Sequence, residues 1–92
     1  MVSVEAMQQI APACIHVLLF AELREQAGWS EIQWPIARSN ANVPTPALVW
    51  ESLELPGTLD VLRVAINHQF ADPSTPLKPG DELAFLPPIS GG

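Results

Sequence analysis

The sequence is poor in the residues that many binding and catalytic sites need. Only four of its 92 residues are basic, against ten acidic ones, and the net charge is −6. Nucleic acids and anionic membranes require a cluster of positive charge to displace counterions. The four bases are scattered along the chain, at Arg24, Arg38, Arg63 and Lys78. We therefore expect no nucleic acid and no membrane as a partner, and favour a protein partner that is itself basic.

Cysteine is almost absent, with Cys14 the single one in the sequence. An internal disulfide is therefore excluded, and a reducing cytoplasm is the expected location. One cysteine and two distant histidines, His16 and His68, do not make a zinc or iron–sulfur motif. The sequence also contains no glycine-rich phosphate loop and no nucleophile–base motif. It does not predict an enzyme that acts on its own.

A secretion signal is one alternative to the cytoplasm. The stretch 10–21, IAPACIHVLLFA, is apolar enough to suggest a signal peptide, but it contains Pro12 and His16, and no Lys or Arg precedes it. It is also too short to cross a bilayer as a helix. These features favour the cytoplasm.

Apolar residues are abundant enough for one domain. They make up 48% of the sequence, which in a chain of this length supports a single core. Residues 1–13 show no clear hydrophobic period, and we expect a flexible N-terminal extension there. Residues 14–92 are then the domain, and residues 87–92 are its tail.

The hydrophobic pattern predicts five strands. The run 14–20, CIHVLLF, is short and apolar on both faces, as is typical of a central strand. In the last strand, Leu83 and Phe85 are expected on one face, with Ala84 and Leu86 on the other. Asn67 and His68 are suited to a tight reversal between two strands. The predicted strands cover 14–20, 29–34, 62–67, 69–71 and 82–86.

Two helices are predicted between the strands. The first, within 21–28, is short and ends at Gly28, which readily takes the left-handed conformation. The second begins at Thr45, whose side chain can cap free N–H groups, and runs through Leu55 until Pro56 and Gly57 end it. The residues expected to face the sheet are Leu48, Ser52 and Leu55, with Val49 and Leu53 beside them.

This order of elements predicts an α+β fold. One main helix packed across a mixed sheet of about five strands accounts for the pattern. If the first and last strands are neighbours, their apolar runs lie in the centre of the sheet. That arrangement is a β-grasp fold, the fold of ubiquitin.

The sequence ends on FLPPISGG. Pro87 and Pro88 favour an extended chain, and the six residues of the tail can span up to about 20 Å. Gly91 and Gly92 have no side chains, so the tail can enter a narrow channel in another protein. A partner that uses ATP could adenylate Gly92, and a sulfur nucleophile could then leave a thiocarboxylate there.

Three segments carry a family resemblance: VLLFAELREQAG, VAIN and LKPGDELAFLPPISGG. They are similar to the molybdopterin synthase small subunit, that is, the MoaD-type sulfur carriers of the ubiquitin-like MoaD/ThiS family. The resemblance implies that Gly92 is the residue adenylated and thiocarboxylated. It also implies that the tail and the strand before it contact the partners, through Phe85, Leu86, Pro87, Pro88, Ile89, Ser90 and Gly91. One of Phe85 and Leu86 is expected to be a core residue.

The resemblance also implies the partners. A separate large subunit would hold the catalytic residues, two small and two large subunits would form a heterotetramer, and the reaction would convert cyclic pyranopterin monophosphate into molybdopterin. An ATP-dependent activating enzyme would adenylate the tail. No cofactor and no metal is expected on this chain. Two alternatives stay open: a ubiquitin-like modifier joined to lysines of target proteins, and a sulfur carrier for thiamine or cysteine synthesis.

Overall fold

The computed structural model describes residues 13–38 and 43–88. Within these ranges the chain forms a single five-stranded sheet and two α-helices, with two short 3-10 turns. The N-terminal extension predicted over residues 1–13 lies outside the described residues except for Ala13. The elements, in chain order, are β1 (Cys14–Leu19), α1 (Glu22–Ala27), β2 (Glu31–Pro35), a 3-10 turn (Ile36–Arg38), α2 (Pro46–Leu53), a 3-10 turn (Leu59–Val61), β3 (Arg63–Ile66), β4 (Gln69–Phe70) and β5 (Glu82–Leu86).

The strand order in the sheet is β2-β1-β5-β3-β4. Strands β1 and β5 are parallel neighbours, with His16 opposite Glu82 and Leu19 opposite Phe85. The other three pairs are antiparallel. The predicted pairing of the first and last strands is therefore confirmed, as is the mixed sheet with one main helix.

The core lies between this sheet and α2. Ile15, Val17, Leu83 and Phe85 point from the two central strands towards the helix and have no exposed surface. Trp50 of α2 packs on Phe85, with the ring centres 5.0 Å apart and the ring planes inclined by 57°. Such a tilted aromatic pair adds stability beyond the apolar area that it buries.

Helix α2 begins as predicted and ends earlier. The Thr45 side chain accepts a hydrogen bond from the Leu48 N–H, and Pro46 occupies the first turn. The predicted end at Leu55 is wrong, because Glu54 takes the left-handed conformation (φ 54°) and closes the helix after Leu53.

The side of α2 that faces the sheet agrees with the prediction in part, since Val49 is buried as expected, but Trp50, which was not predicted there, is buried as well. Pro46, Val49 and Trp50 are its buried residues, whereas Leu48 and Ser52 are only partly buried. The sheet lies under the side of the helix that carries the indole of Trp50. Ser52 lies at the edge of this contact, where its hydroxyl meets Trp34 of β2.

Two turns use backbone with positive φ. Gly28 ends α1 in the left-handed conformation (φ 84°), as predicted. Asn67 and His68 both have positive φ and connect β3 to β4. The Asn67 side chain accepts a hydrogen bond from the Glu82 N–H and donates one to the Asp81 carboxylate, which fixes the turn against the start of β5.

The connection from β4 to β5 contributes to the core as well. Leu77 is 3% exposed, and its N–H donates to the Pro44 carbonyl at 2.9 Å. The Ala47 N–H donates to the Pro73 carbonyl at 3.0 Å, so this loop is bound to the start of α2 at two points. None of the helices in the described ranges is long and apolar enough to span a bilayer.

Candidate functional site

The tail leaves the sheet at its centre. Strand β5 lies between β1 and β3 and ends at Leu86, as predicted. Pro87 and Pro88 follow, the first partly buried and the second exposed. Proline has no N–H to donate and fixes φ, so the hydrogen-bond ladder cannot continue past Leu86. Of the predicted tail residues, Ile89, Ser90, Gly91 and Gly92 lie outside the described residues.

Phe85 and Leu86 point to opposite sides of the sheet. Phe85 has no exposed surface and packs against Trp50, so it is the core residue of the two. Its predicted place on a partner-contacting surface is therefore corrected: its ring supports the strand from which the tail leaves. Leu86 is partly exposed on the other side and remains a candidate contact residue.

That other side carries an apolar surface that the sequence reasoning did not single out. Leu18, Ala84, Ala65 and Phe70 are register neighbours and form one row across four strands. Phe20 and Leu86 extend the row towards the tail, and the resulting groove has a volume of about 450 Å³. We call these six residues the open face.

The open face carries two exposed aromatic side chains, whereas its members Leu18, Ala65 and Leu86 are partly buried and Ala84 is buried. Phe70 is 69% exposed and Phe20 is 43% exposed, although both are large apolar side chains. A cluster of exposed apolar residues beside a rigid chain exit is typical of a surface that binds another protein. The alternation within 62–71 could have revealed it, because Ala65 and Phe70 fall on the side opposite Val64.

Two histidine–glutamate pairs border the end of the sheet where β5 begins. His68 Nε2 lies 2.7 Å from Glu82 Oε2, and His16 Nε2 lies 2.9 Å from Glu31 Oε2. His16 is in register with Glu82, so the two pairs follow one another across the strands. Neither histidine belongs to a cluster of three or more His, Cys, Asp or Glu side chains that could hold a metal ion within the described ranges.

Arg63 borders the other end of the open face. It is in register with Leu86, and its guanidinium carbon lies 5.4 Å from the centre of the Phe70 ring. The open face is therefore flanked by a cation near the tail and by carboxylates at the far end. This arrangement is suited to docking an apolar surface in one orientation.

The comparisons with known proteins agree with this architecture. Residues 17–92 match the ThiS family. The molybdopterin synthase sulfur carrier subunit of Drosophila melanogaster is 36% identical over 88 residues, which cover 85% of this chain and 90% of that protein. The protein of the same name from Haemophilus influenzae is 34% identical over 80 residues, covering 85% of this chain and 99% of that protein.

Solved structures of small archaeal modifier proteins are similar too. The small archaeal modifier protein 1 of Methanosarcina acetivorans superposes with a TM-score of 0.65 at 27% identity, covering 88% of this chain and 98% of that one. The corresponding Haloferax volcanii protein gives a TM-score of 0.65 at 26% identity, covering 86% and 99%. These similarities agree with the β-grasp fold.

Proposed function

This chain belongs to the ThiS family, and on that premise we propose that it is the sulfur carrier subunit of a molybdopterin synthase. The observation that carries the proposal is the exit of the tail from the central strand β5, beside the open face. The names of the relatives that match most of the chain support the same function. The proposed place of action is the cytoplasm.

The proposed chemistry takes place at Gly92. Its carboxylate attacks the α-phosphate of ATP on an activating enzyme, and pyrophosphate leaves. A hydrosulfide-equivalent donor then attacks the acyl carbon of the adenylate, AMP leaves, and a thiocarboxylate remains. Transfer of that sulfur to cyclic pyranopterin monophosphate, with water supplying the replacing oxygen, returns Gly92 to a carboxylate. A dithiolene contains two sulfur atoms. Two thiocarboxylated chains therefore each give up one sulfur atom for every molybdopterin formed.

In this proposal the chain positions the tail, and its partners supply catalysis. The large synthase subunit holds the catalytic residues, and two large and two small subunits form the heterotetramer. No cofactor is bound by this chain, and ATP is used by the activating enzyme. Leu86, Pro87 and Pro88 lie where a partner that accepts the tail must approach, while Ile89, Ser90 and Gly91 would enter its channel.

Mass spectrometry tests the proposal directly. After incubation with the activating enzyme, ATP and a sulfur source, the intact chain should gain the mass difference of one oxygen replaced by sulfur, at Gly92. A variant that lacks Gly91 and Gly92 is the control and should stay unchanged. An ordinary carboxylate at Gly92 after incubation with the correct activating enzyme would contradict the proposal.

A second candidate function is that of a protein modifier. It is favoured by the similarity to the small archaeal modifier proteins. In that case the activated Gly92 would form amide bonds with lysines of target proteins. Conjugates of higher mass in cell extracts, absent when Gly92 is deleted, would support it. A carrier for thiamine or cysteine synthesis would instead be thiocarboxylated at Gly92 but would not support molybdopterin formation when it is mixed with the large subunit.

A further inference from the structure

We propose that Arg63 is a docking residue: its guanidinium, beside the Phe70 ring at the base of the tail, binds a carboxylate of the large synthase subunit. The inference rests on the proposed function, because it concerns the partner that receives sulfur from Gly92. It adds a residue and a chemical requirement that the tail alone does not supply.

The first argument is that Arg63 has no acidic partner within the described residues. The sequence has ten acidic residues and four basic ones. Both ion pairs in residues 13–38 and 43–88 nevertheless join a glutamate to a histidine, and neither includes Arg63. Within those ranges the Arg63 guanidinium carbon lies over the Phe70 ring. Within the described ranges, Arg63 is thus an exposed cation that makes no ion pair.

Arg63 lies at the base of the tail. Arg63 is the residue of β3 in register with Leu86, the last residue of β5 before the tail. A partner that docks on Leu86 while it takes up the tail would lie next to Arg63 and to the Phe70 ring beside it. Burying an arginine under a partner without a matching acceptor costs free energy, whereas a matched carboxylate recovers it.

The third argument is the geometry of the side chain. A guanidinium offers five N–H donors in one plane and binds a carboxylate through two parallel hydrogen bonds. Stacking on an aromatic ring uses the face of the guanidinium and leaves its edge free to donate. Arginine and exposed aromatic residues are also the types enriched among the residues that dominate binding at protein interfaces.

The test compares two substitutions that remove the same charge. Arg63→Gln and Lys78→Gln each change the net charge from −6 to −7, and both residues are exposed. Only Arg63 borders the open face near the tail. Titration calorimetry with the large subunit should show binding weakened at least about tenfold by Arg63→Gln and less than about twofold by Lys78→Gln. Arg63→Lys keeps the positive charge but lacks the planar guanidinium with its two parallel N–H donors. Its binding to the large subunit should be weakened by an amount between those of the two glutamine variants.

The outcomes separate this inference from the proposed function. If Arg63→Gln binds like the unchanged chain while Gly92 is still thiocarboxylated, the role of Arg63 is wrong and the sulfur-carrier function stands. If the unchanged chain does not bind the large subunit at all, both fall. Should Arg63→Gln fail to fold, carboxylate-to-amide substitutions in the large subunit give the same test with the unchanged chain. The inference is overturned if none of them weakens binding about tenfold.

Discussion

Trp34 of β2 and Ser52 of α2 are joined by a hydrogen bond of 2.8 Å from the indole Nε1 to the serine Oγ. Trp34 has no exposed surface, so its indole N–H depends on this acceptor within the fold. The Ser52 hydroxyl in turn donates to the Val49 carbonyl at 2.7 Å, one turn earlier in the helix. The two bonds connect the edge of the sheet to the helix that covers it.

Substituting Ser52→Ala should therefore lower the free energy of unfolding by about 1–3 kcal/mol, because the buried indole N–H loses its acceptor. Urea unfolding followed by tryptophan fluorescence measures the change. Ser30→Ala is the control, since Ser30 is exposed, and it should stay within about 0.5 kcal/mol. Equal midpoints for the two variants would contradict the structural role of this bond.

Phe85 and Leu86 should separate stability from binding. Phe85→Ala removes a fully buried ring and should cost about 3–5 kcal/mol of unfolding free energy. Leu86→Ala removes a partly exposed side chain from the opposite side and should cost about 1 kcal/mol. Leu86→Ala should nevertheless weaken binding to the large subunit at least about tenfold. Thermal unfolding and calorimetry on both variants check this, and a Leu86→Ala variant that binds normally would remove Leu86 from the docking surface.

The acidic turn after β4 should show an altered titration. The Ser74 hydroxyl and the Ser74 N–H both donate to the Asp72 carboxylate, and they lower the pKa of Asp72 below 3.8. The ionised form therefore stabilises the turn above that value, and the contribution is lost as the pH falls through the lowered pKa. Carboxyl NMR should detect the low pKa, and Ser74→Ala should raise it towards 3.8. An unchanged titration in Ser74→Ala would contradict this cause.

An alanine added after Gly92 should abolish thiocarboxylate formation and leave the fold unchanged. The added side chain and the displaced carboxylate would no longer fit a site that accepts two bare glycines. The measurement is the intact mass after incubation with the activating enzyme, with circular dichroism as the check on folding. The control is a variant with an alanine added before Met1, and this variant should form the thiocarboxylate normally. Normal thiocarboxylate formation on the lengthened tail would rule out Gly92 as the reacting residue.

The sheet could be predicted from the sequence because its signals are local and redundant. β5 was predicted at its observed bounds, since the largely apolar run 82–86 is closed on one side by Gly80 and on the other by Pro87. The neighbouring position of β1 and β5 followed from their apolar character alone. The Asn67–His68 turn was recognised because asparagine tolerates positive φ, which the structure shows at that residue.

Other features depend on contacts between distant positions. The side of α2 that is buried depends on where the sheet lies, and helical period alone cannot choose between Leu48 and Trp50. One histidine–glutamate pair joins two strands and the other joins the β3–β4 turn to β5, so both require a register that no short motif contains. The same is true of the open face, whose row of side chains comes from four strands. The reactive role of Gly92 stays a prediction.

The place of β5 between two hydrogen-bonded neighbours has a mechanical consequence. A partner that pulled on the tail along the axis of β5 would load this strand through Pro87. The strand is paired on one side with β1 and on the other with β3, so the load acts on both ladders in shear. Hydrogen bonds loaded in shear resist together, whereas those of a peeled edge strand break one at a time. The carrier can thus be held by its tail under tension without unravelling from that end.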